Sequence, residues 1–319
     1  MAQPAPDHGS VAVFGEALVD MIPTGEVTFE ARAGGSPANI AVATARLGCA
    51  TTFLGGLSTD RWGHLLAAHL EDAGVTTTAA PRSDRPTAMA FVDLATDGSA
   101  TYRFLWDDTA DRAVVIEDLP SDLGTATWVQ VGSVSAALPD TFEVAHALAL
   151  RERGSRLVSC DPNVRTMVHG DDPEVRARLL SIMATADLVK SSDEDLEFLY
   201  GPIAASEAIR RLLDGGAGVV AVTRGGAGAL LASSAGTEVI EPVAVTTADT
   251  VGAGDTFMAA LLAGFCAIGV GTRDDLHDLD SVSLRAVGRL AATAAWITVG
   301  RVGADPPTLA DLPTDVLLG

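Results

Sequence analysis

Apolar positions fall along this chain in two rhythms. Residues 11–14 form an unbroken apolar run closed by Gly15, which predicts a buried strand. Residues 37–47 carry apolar side chains at helical spacing, with Gly48 as C-cap. Residues 51–54 predict a strand, and residues 60–73 a helix ended by Gly74. Farther on, apolar strands at 127–131, 156–160, 187–190 and 219–223 alternate with helical patterns near 139–153, 172–185 and 206–213. Continuous apolar strands separated by helices predict a mostly parallel sheet covered on both faces. Residues 230–243 read as antiparallel, and two long helices, about 253–268 and 281–299, close the fold.

A different rhythm runs through residues 27–33, 87–94 and 100–105, where apolar and polar positions alternate. Strands of that kind are half exposed and do not belong in a doubly covered sheet. Thr96-Asp97-Gly98-Ser99 between the last two is a hairpin signal. These segments predict a small separate sheet projecting as a lid. The expected fold class is therefore α/β, a three-layer sandwich with a mostly parallel central sheet plus a β-sheet lid. No repeat or linker divides it: residues 1–319 read as one domain, with lid segments at about 22–33 and 86–107.

Composition narrows the function. Hydrophobic residues make up 48% of the chain, enough for a large core, and no uncharged apolar run reaches the roughly 18 residues of a membrane-spanning candidate. The first ten residues are polar and lack a signal-peptide pattern, so a cytoplasmic protein is expected. Cys49, Cys160 and Cys266 have neither metal-ligand nor disulfide-framework spacing. A formal charge of −21 argues against nucleic acid as a partner. It also means that a phosphorylated ligand must be met by local amides, a few cations and Mg²⁺. Lys190 is the single lysine, the other cations being arginines.

The candidate chemistry centres on Asp249-Thr250-Val251-Gly252-Ala253-Gly254-Asp255-Thr256-Phe257, a small-residue loop that feeds an apolar helix. First-turn amides lack intrahelical partners, the helix dipole is positive there, and Gly252 and Gly254 leave room for an anion. With Asp255 beside them, Gly252, Ala253 and Gly254 suit phosphoryl transfer to a hydroxyl: the acid takes the proton and the amides receive the developing charge. A capped core helix is the plain alternative. Asp20, beyond the first strand, can accept hydrogen bonds from a polyol. Gly34 and Gly35 expose amides, and Asn39 lies in the first turn of the next helix. In Asp161-Pro162-Asn163-Val164-Arg165 the planar fork of Arg165 can clamp phosphate or sugar oxygens. Ser192 and Asp195 fit an N-cap pair, and Asp195 can also serve a cation through water. Thr223-Arg224-Gly225-Gly226-Ala227-Gly228 is either a phosphate-lining loop or a hairpin turn. Neither a Rossmann fingerprint nor a Walker A pattern occurs.

In order and kind these motifs resemble the ribokinase/PfkB family of sugar kinases. The N-terminal signature is similar to Gly34-Gly35-Ser36-Pro37-Ala38-Asn39 through Gly48, and the C-terminal one to residues 249–257. The resemblance spans about 10–310. Local wording is nearest the fructokinase-like branch: GEALVDMIP at 15–23, GGSPANIAVATARLG at 34–48, DPNVR at 161–165 and RVGADPP at 301–307. It implies a ribokinase-like sandwich with a lid, and ATP- and Mg²⁺-dependent phosphorylation of a neutral sugar, fructose or a related ketohexose. 2-Keto-3-deoxygluconate, ribose and nucleosides are competing acceptors, and a silent sugar-binding regulator is the reading from another class.

The resemblance makes Asp255 the base and the amides of 252–255 an anion hole. It gives the sugar to Asp20, Gly34, Gly35 and Asn39, with Tyr102 and Arg165 as further substrate candidates. It gives ATP to Lys190, Ser192, Thr223, Gly225, Gly226 and Gly228. Asp249 and Val251 match a monovalent-cation loop, so K⁺ is a possible second ion. A homodimer through the lid is the family-level expectation. Two departures stand out. Ser192 to Asp195 replaces an Asn-x-x-Glu pattern. Trp106 falls where fructokinase-like and ketodeoxygluconate-kinase-like members often bring an arginine from the lid, a departure that weakens the case for an acidic sugar and leaves fructose itself open.

Overall fold

The computed structural model describes residues 9–94, 100–243 and 246–317, with backbone alone at 92–94 and 100–102. β1 (Ser10–Val13) opens the large sheet, and β2 (Leu18–Pro23) and β3 (Phe29–Gly34) leave it. α1 (Ser36–Arg46), β4 (Ala50–Phe53), β5 (Leu57–Ser58), α2 (Arg61–Asp72), β6 (Val75–Thr76) and β7 (Arg82–Ser83) follow. A second excursion, β8 (Met89–Leu94) and β9 (Ala100–Leu105), precedes β10 (Trp128–Gly132). Strands and helices then alternate: α3 (Pro139–Glu152), β11 (Leu157–Asp161), α4 (Thr166–His169), α5 (Pro173–Met183), β12 (Leu188–Ser192), α6 (Asp193–Tyr200), α7 (Ala205–Asp214) and β13 (Val219–Thr223). The antiparallel β14 (Ala229–Ser233) and β15 (Gly236–Ile240) lead to α8 (Ala253–Ala267), α9 (Arg273–His277) and α10 (Ser281–Val299).

Nine strands form the large sheet in the order β15-β14-β13-β12-β11-β10-β1-β4-β6. It is parallel from β13 to β6, and only the β13–β14–β15 edge is antiparallel. The central strands are apolar because both faces are covered. One face packs against α1, α2, α8 and α10, and the other against α3, α5, α6 and α7. α8 is buried along nearly its whole length, between α1 and α10. Leu261, Leu262 and Phe265 are fully buried in it. Side chains of that size contribute about 1.5–3 kcal/mol each, so the N-terminus of α8 is firmly anchored.

The lid is a four-stranded sheet in the order β3-β2-β8-β9. Its root is a small apolar cluster of Leu18, Ala88, Ala90, Trp106 and Val134. The alternating segments do form the lid, but its boundary needs correction. Leu18–Pro23, of which only the end fell within the expected lid segment 22–33, is a lid strand paired with both β3 and β8. Its sequence hides the alternation, because Asp20 is the one charged residue in an otherwise apolar run. The Thr96–Ser99 turn lies outside the described residues, although β8 and β9 beside it pair antiparallel as a hairpin requires.

Candidate active site

The carboxyl ends of the strands supply the floor of one cleft of about 480 Å³. Such edges are where open α/β sheets bind ligands. Asp20, Gly35, Asn39, Arg165, Val251, Gly252, Gly254 and Asp255 line it, as do Ser36, Trp106 and Asn163. Of the site residues singled out in the sequence, the cleft brings the first eight of these together, while Gly34, Ala253, Lys190, Ser192, Asp195, Thr223, Gly225, Gly226, Gly228 and Asp249 do not line it.

Asp255 sits in the first turn of α8, 7% exposed. Gly252 caps that helix in the left-handed region at φ 77°, and an added Cβ would lie 2.6 Å from the Ala304 Cβ. Glycine is therefore demanded twice, by conformation and by space. The Ala253 amide bonds the Thr250 carbonyl at 3.3 Å, which removes it from the expected anion hole. The first-turn amides of Gly254 and Asp255 have no partner in helix geometry. Three donors converge on the Asp255 carboxylate. Ser36 Oγ donates to Oδ1 at 2.6 Å, Asn39 Nδ2 to Oδ2 at 2.8 Å, and Asn163 Nδ2 to Oδ1 at 3.3 Å.

Asp20 faces the cleft from β2, and burial pushes its carboxyl up to about 6. An added Cβ on Gly34 would meet the Asp20 Oδ2 at 2.3 Å. Gly34 therefore makes room for Asp20 and, unlike Gly35, does not line the cleft. Glu16 lies deeper, holding Ser133 Oγ and Ser135 Oγ, each at 2.6 Å. Burial raises its carboxyl to about 7, against the opposing pull of those hydroxyls. Trp106 is buried at the lid root and donates its indole N–H to Asp111 Oδ2 at 2.6 Å. Arg165 is exposed at the rim, with Nη1 on the Val164 carbonyl at 3.1 Å. The Tyr102 side chain lies outside the described residues.

The residues expected near ATP divide. Lys190 is buried and does not line the cleft; its Nζ is 2.8 Å from Asp161 Oδ2 and 3.1 Å from where a Gly254 Cβ would stand. Burial disfavours its charge, but Asp161, Asp195 and Asp255 outweigh that and hold the ammonium above the usual lysine range. Ser192 and Asp195 form a capping box at the start of α6. Both Asp195 oxygens accept backbone N–H groups, from Val164 and from Ser192, each at 2.9 Å. Thr223 ends β13, and the open amides of Gly225 and Gly226 stand just beyond it with space around their Cα atoms. Gly228 is required by the hairpin itself: φ is 81°, and an added Cβ would lie 2.1 Å from the Ile240 carbonyl. β13 and β14 pair antiparallel around this loop, so it is a hairpin turn, a geometry that leaves the Gly225 and Gly226 amides available for phosphate. Asp249 accepts N–H groups from Val251 at 3.1 Å and Gly303 at 2.9 Å.

Among the described residues, no group of three or more His, Cys, Asp or Glu is arranged to hold a metal. The residues present fit Mg²⁺ in its usual nucleotide-linked form, held by phosphates and water with few protein ligands. Ser36, Asp161 and Asn163 are site residues that sequence reading passed over. The Asp-Pro-Asn-x-Arg motif was the available signal, but it drew notice for its arginine.

Comparison with known proteins gives this geometry a family. The model of the pfkB family carbohydrate kinases matches residues 9–311. A fructokinase from Rhizobium leguminosarum bv. trifolii is 37% identical over 277 residues, covering 85% of this chain and 84% of that one. The crystal structure of a Xylella fastidiosa fructokinase with bound ATP superposes with a TM-score of 0.85 at 31% identity, covering 92% of this chain and 93% of that one. A Vibrio cholerae O395 fructokinase bound to fructose, ADP and calcium gives 0.82 at 29% identity, covering 93% and 95%. The anion-ready turn and its acid thus lie within a match that runs nearly end to end, and this chain belongs to the PfkB family of carbohydrate kinases.

Proposed function

We propose that this enzyme transfers the γ-phosphoryl group of ATP to a hydroxyl of fructose. The observation that carries this is Asp255. It is a carboxylate in the first turn of a buried helix, level with partner-free amides, and it opens on the same cleft as Asp20, Gly35 and Asn39. In the proposed reaction Asp255 accepts the proton of the acceptor hydroxyl as that oxygen attacks the γ-phosphorus. The bond to the β,γ-bridging oxygen breaks, and ADP leaves. The amides of Gly252, Gly254 and Asp255 meet the charge gathering on the phosphoryl oxygens.

We assign the sugar hydroxyls to Asp20 and Asn39, with Arg165 at the rim. ATP is assigned to Thr223 and the Gly225–Gly226 amides. Lys190 acts from beneath the loop at Gly254. Mg²⁺ supplies charge neutralisation on the phosphates when bound, and Asp195, with both oxygens already engaged, would reach it through water alone. Asp249 and Val251 are assigned to a monovalent cation such as K⁺. Fructose is favoured over a sugar acid because Glu16 and Asp20 are carboxyl groups facing the cleft, and an indole stands at position 106 in place of a cation. The relatives named fructokinase support the same acceptor.

We assign a homodimer in which a second copy covers the lid, supported by exposed Val27, Phe29 and Leu105 there. Three buried cysteines, none in a disulfide, suit the reducing cytoplasm. A coupled ADP-release assay over fructose, 2-keto-3-deoxygluconate, ribose and nucleosides tests the substrate. Fructose should lead the sugar acid by at least about 10²-fold in kcat/KM, the range that a mismatched polar site produces. Equal turnover of the sugar acid would overturn the assignment.

A further inference from the structure

Asn163 holds a backbone conformation that few residues other than glycine adopt, with φ at +39°. It is buried at 8% exposure. Its N–H donates to Asp161 Oδ1 at 3.1 Å, and the other Asp161 oxygen is paired with Lys190 Nζ at 2.8 Å. Asp161 ends β11 and Lys190 lies within the neighbouring parallel β12, each following the paired Cys160 and Val189, so the sheet itself fixes this pair. The pair in turn fixes Asn163. From there the carboxamide nitrogen donates to Ser36 Oγ at 2.6 Å and lies 3.3 Å from Asp255 Oδ1. A carboxylate only accepts, so the nitrogen, and not the carbonyl oxygen, must face Asp255.

This fixes a direction of donation. Ser36 Oγ accepts from Asn163, so its own hydrogen is left for Asp255 Oδ1, 2.6 Å away. We infer that Asn163 is a positioning residue for the phosphoryl transfer: held by the Asp161–Lys190 pair, it orients the Ser36 hydroxyl and the Asp255 carboxylate as one unit. The inference rests on Asp255 being the base. Asn163 acts through Ser36 and Asp255, so its loss should lower kcat more than it changes ligand binding. The buried Lys190, which does not line the cleft, then has a role at the far end of the same chain of contacts.

Three variants test this: Asn163→Gly, Asn163→Asp and Asp255→Asn, each assayed for kcat, fructose Kd and thermal midpoint. Glycine tolerates the positive φ, so Asn163→Gly removes the amide without imposing backbone strain. It should lose about 10- to 100-fold in kcat, the scale of a misplaced catalytic group, with fructose Kd within about threefold and the thermal midpoint little changed. Asn163→Asp offers Ser36 an acceptor, draws its hydrogen away from Asp255 and should fall below the glycine variant in kcat. If Asp255→Asn is inactive while Asn163→Gly turns over within about twofold of the parent, the positioning role is wrong and the base assignment stands. If Asn163→Gly loses fructose affinity in step with kcat, Asn163 is a binding or structural residue and the inference also fails. If Asp255→Asn is itself fully active, the base assignment on which the inference rests is wrong, whereas a parent that does not turn over fructose would overturn the proposed function, which is a distinct result. Should Asn163→Asp not fold, the glycine variant decides alone.

Discussion

At the scale of single residues, the site keeps its acids under tension. Burial raises Glu16 to about 7, and Asp20 and Asp161 each to about 6. A carboxyl whose folded value lies above its unfolded one favours the fold while protonated. Its contribution is whole below the unfolded value and is lost as pH rises through the folded one. For Glu16 the window is about 4.5 to 7. A shift of that size corresponds to about 3 kcal/mol lost across it. Glutamine keeps the shape and cannot ionise, and the Ser133 and Ser135 hydroxyls can turn to suit its amide. The stability of Glu16→Gln relative to the parent should therefore rise by about 2–3 kcal/mol between pH 5 and pH 8 in denaturant unfolding. A difference independent of pH would show that Glu16 is not held this way. Residues of this kind were half legible in the sequence. Asp255 declared itself through its glycine neighbours. Ser36 and Asn163 did not, because their meaning lies in contacts that span 219 and 92 positions of chain.

At the scale of elements, the hydrophobic rhythm located the covered sheet and the long closing helices with small shifts at their ends. Apolar strands buried on both faces leave a strong local signal, and so does the uninterrupted apolar helix α8. β2 was harder. At its start Leu18 and Val19 are buried, while residues 20–23 are half exposed, so a strand that changes environment along its length shows no clean alternation. The consequence is functional, since this strand carries Asp20 and joins the lid to the cleft. The lid also leaves apolar side chains in water: Val27 is 83% exposed and Leu105 54%. Phe29 packs edge-on against Phe91 at 5.6 Å and is itself partly exposed. A charge placed there should oppose burial against a second copy. Phe29→Asp is expected to shift sedimentation from dimer to monomer at micromolar concentration. A parent that sediments as a monomer would remove the lid-mediated dimer.

At the scale of the whole molecule, an acidic chain of charge −21 handles a polyanion without a basic surface. In the proposed reaction it does so by local means: helix-end and loop amides, one buried lysine, and an ion carried by the nucleotide. The parallel sheet brings β1, β10, β11, β12 and β13 to one edge. From that edge come the turn at Glu16, the serines at 133 and 135, the Asp161–Lys190 pair, and Thr223 at the start of the hairpin loop. The anchored α8 sets Asp255 against them, and the lid brings Asp20 from the other side. Fold class was legible in the apolar rhythm, and reaction type through the resemblance of residues 34–48 and 249–257 to the signatures of the PfkB family. The sugar was less so, since the pocket proposed for it draws on lid strands, α1 and the loop after β11. Everything turns on Asp255 taking the proton, and one measurement tests that most directly: the kcat of Asp255→Asn on fructose and ATP, with fructose Kd determined in parallel. The account predicts a fall of at least about 10²-fold, typical for a lost general base, with fructose affinity nearly unchanged. Turnover close to that of the parent would contradict it.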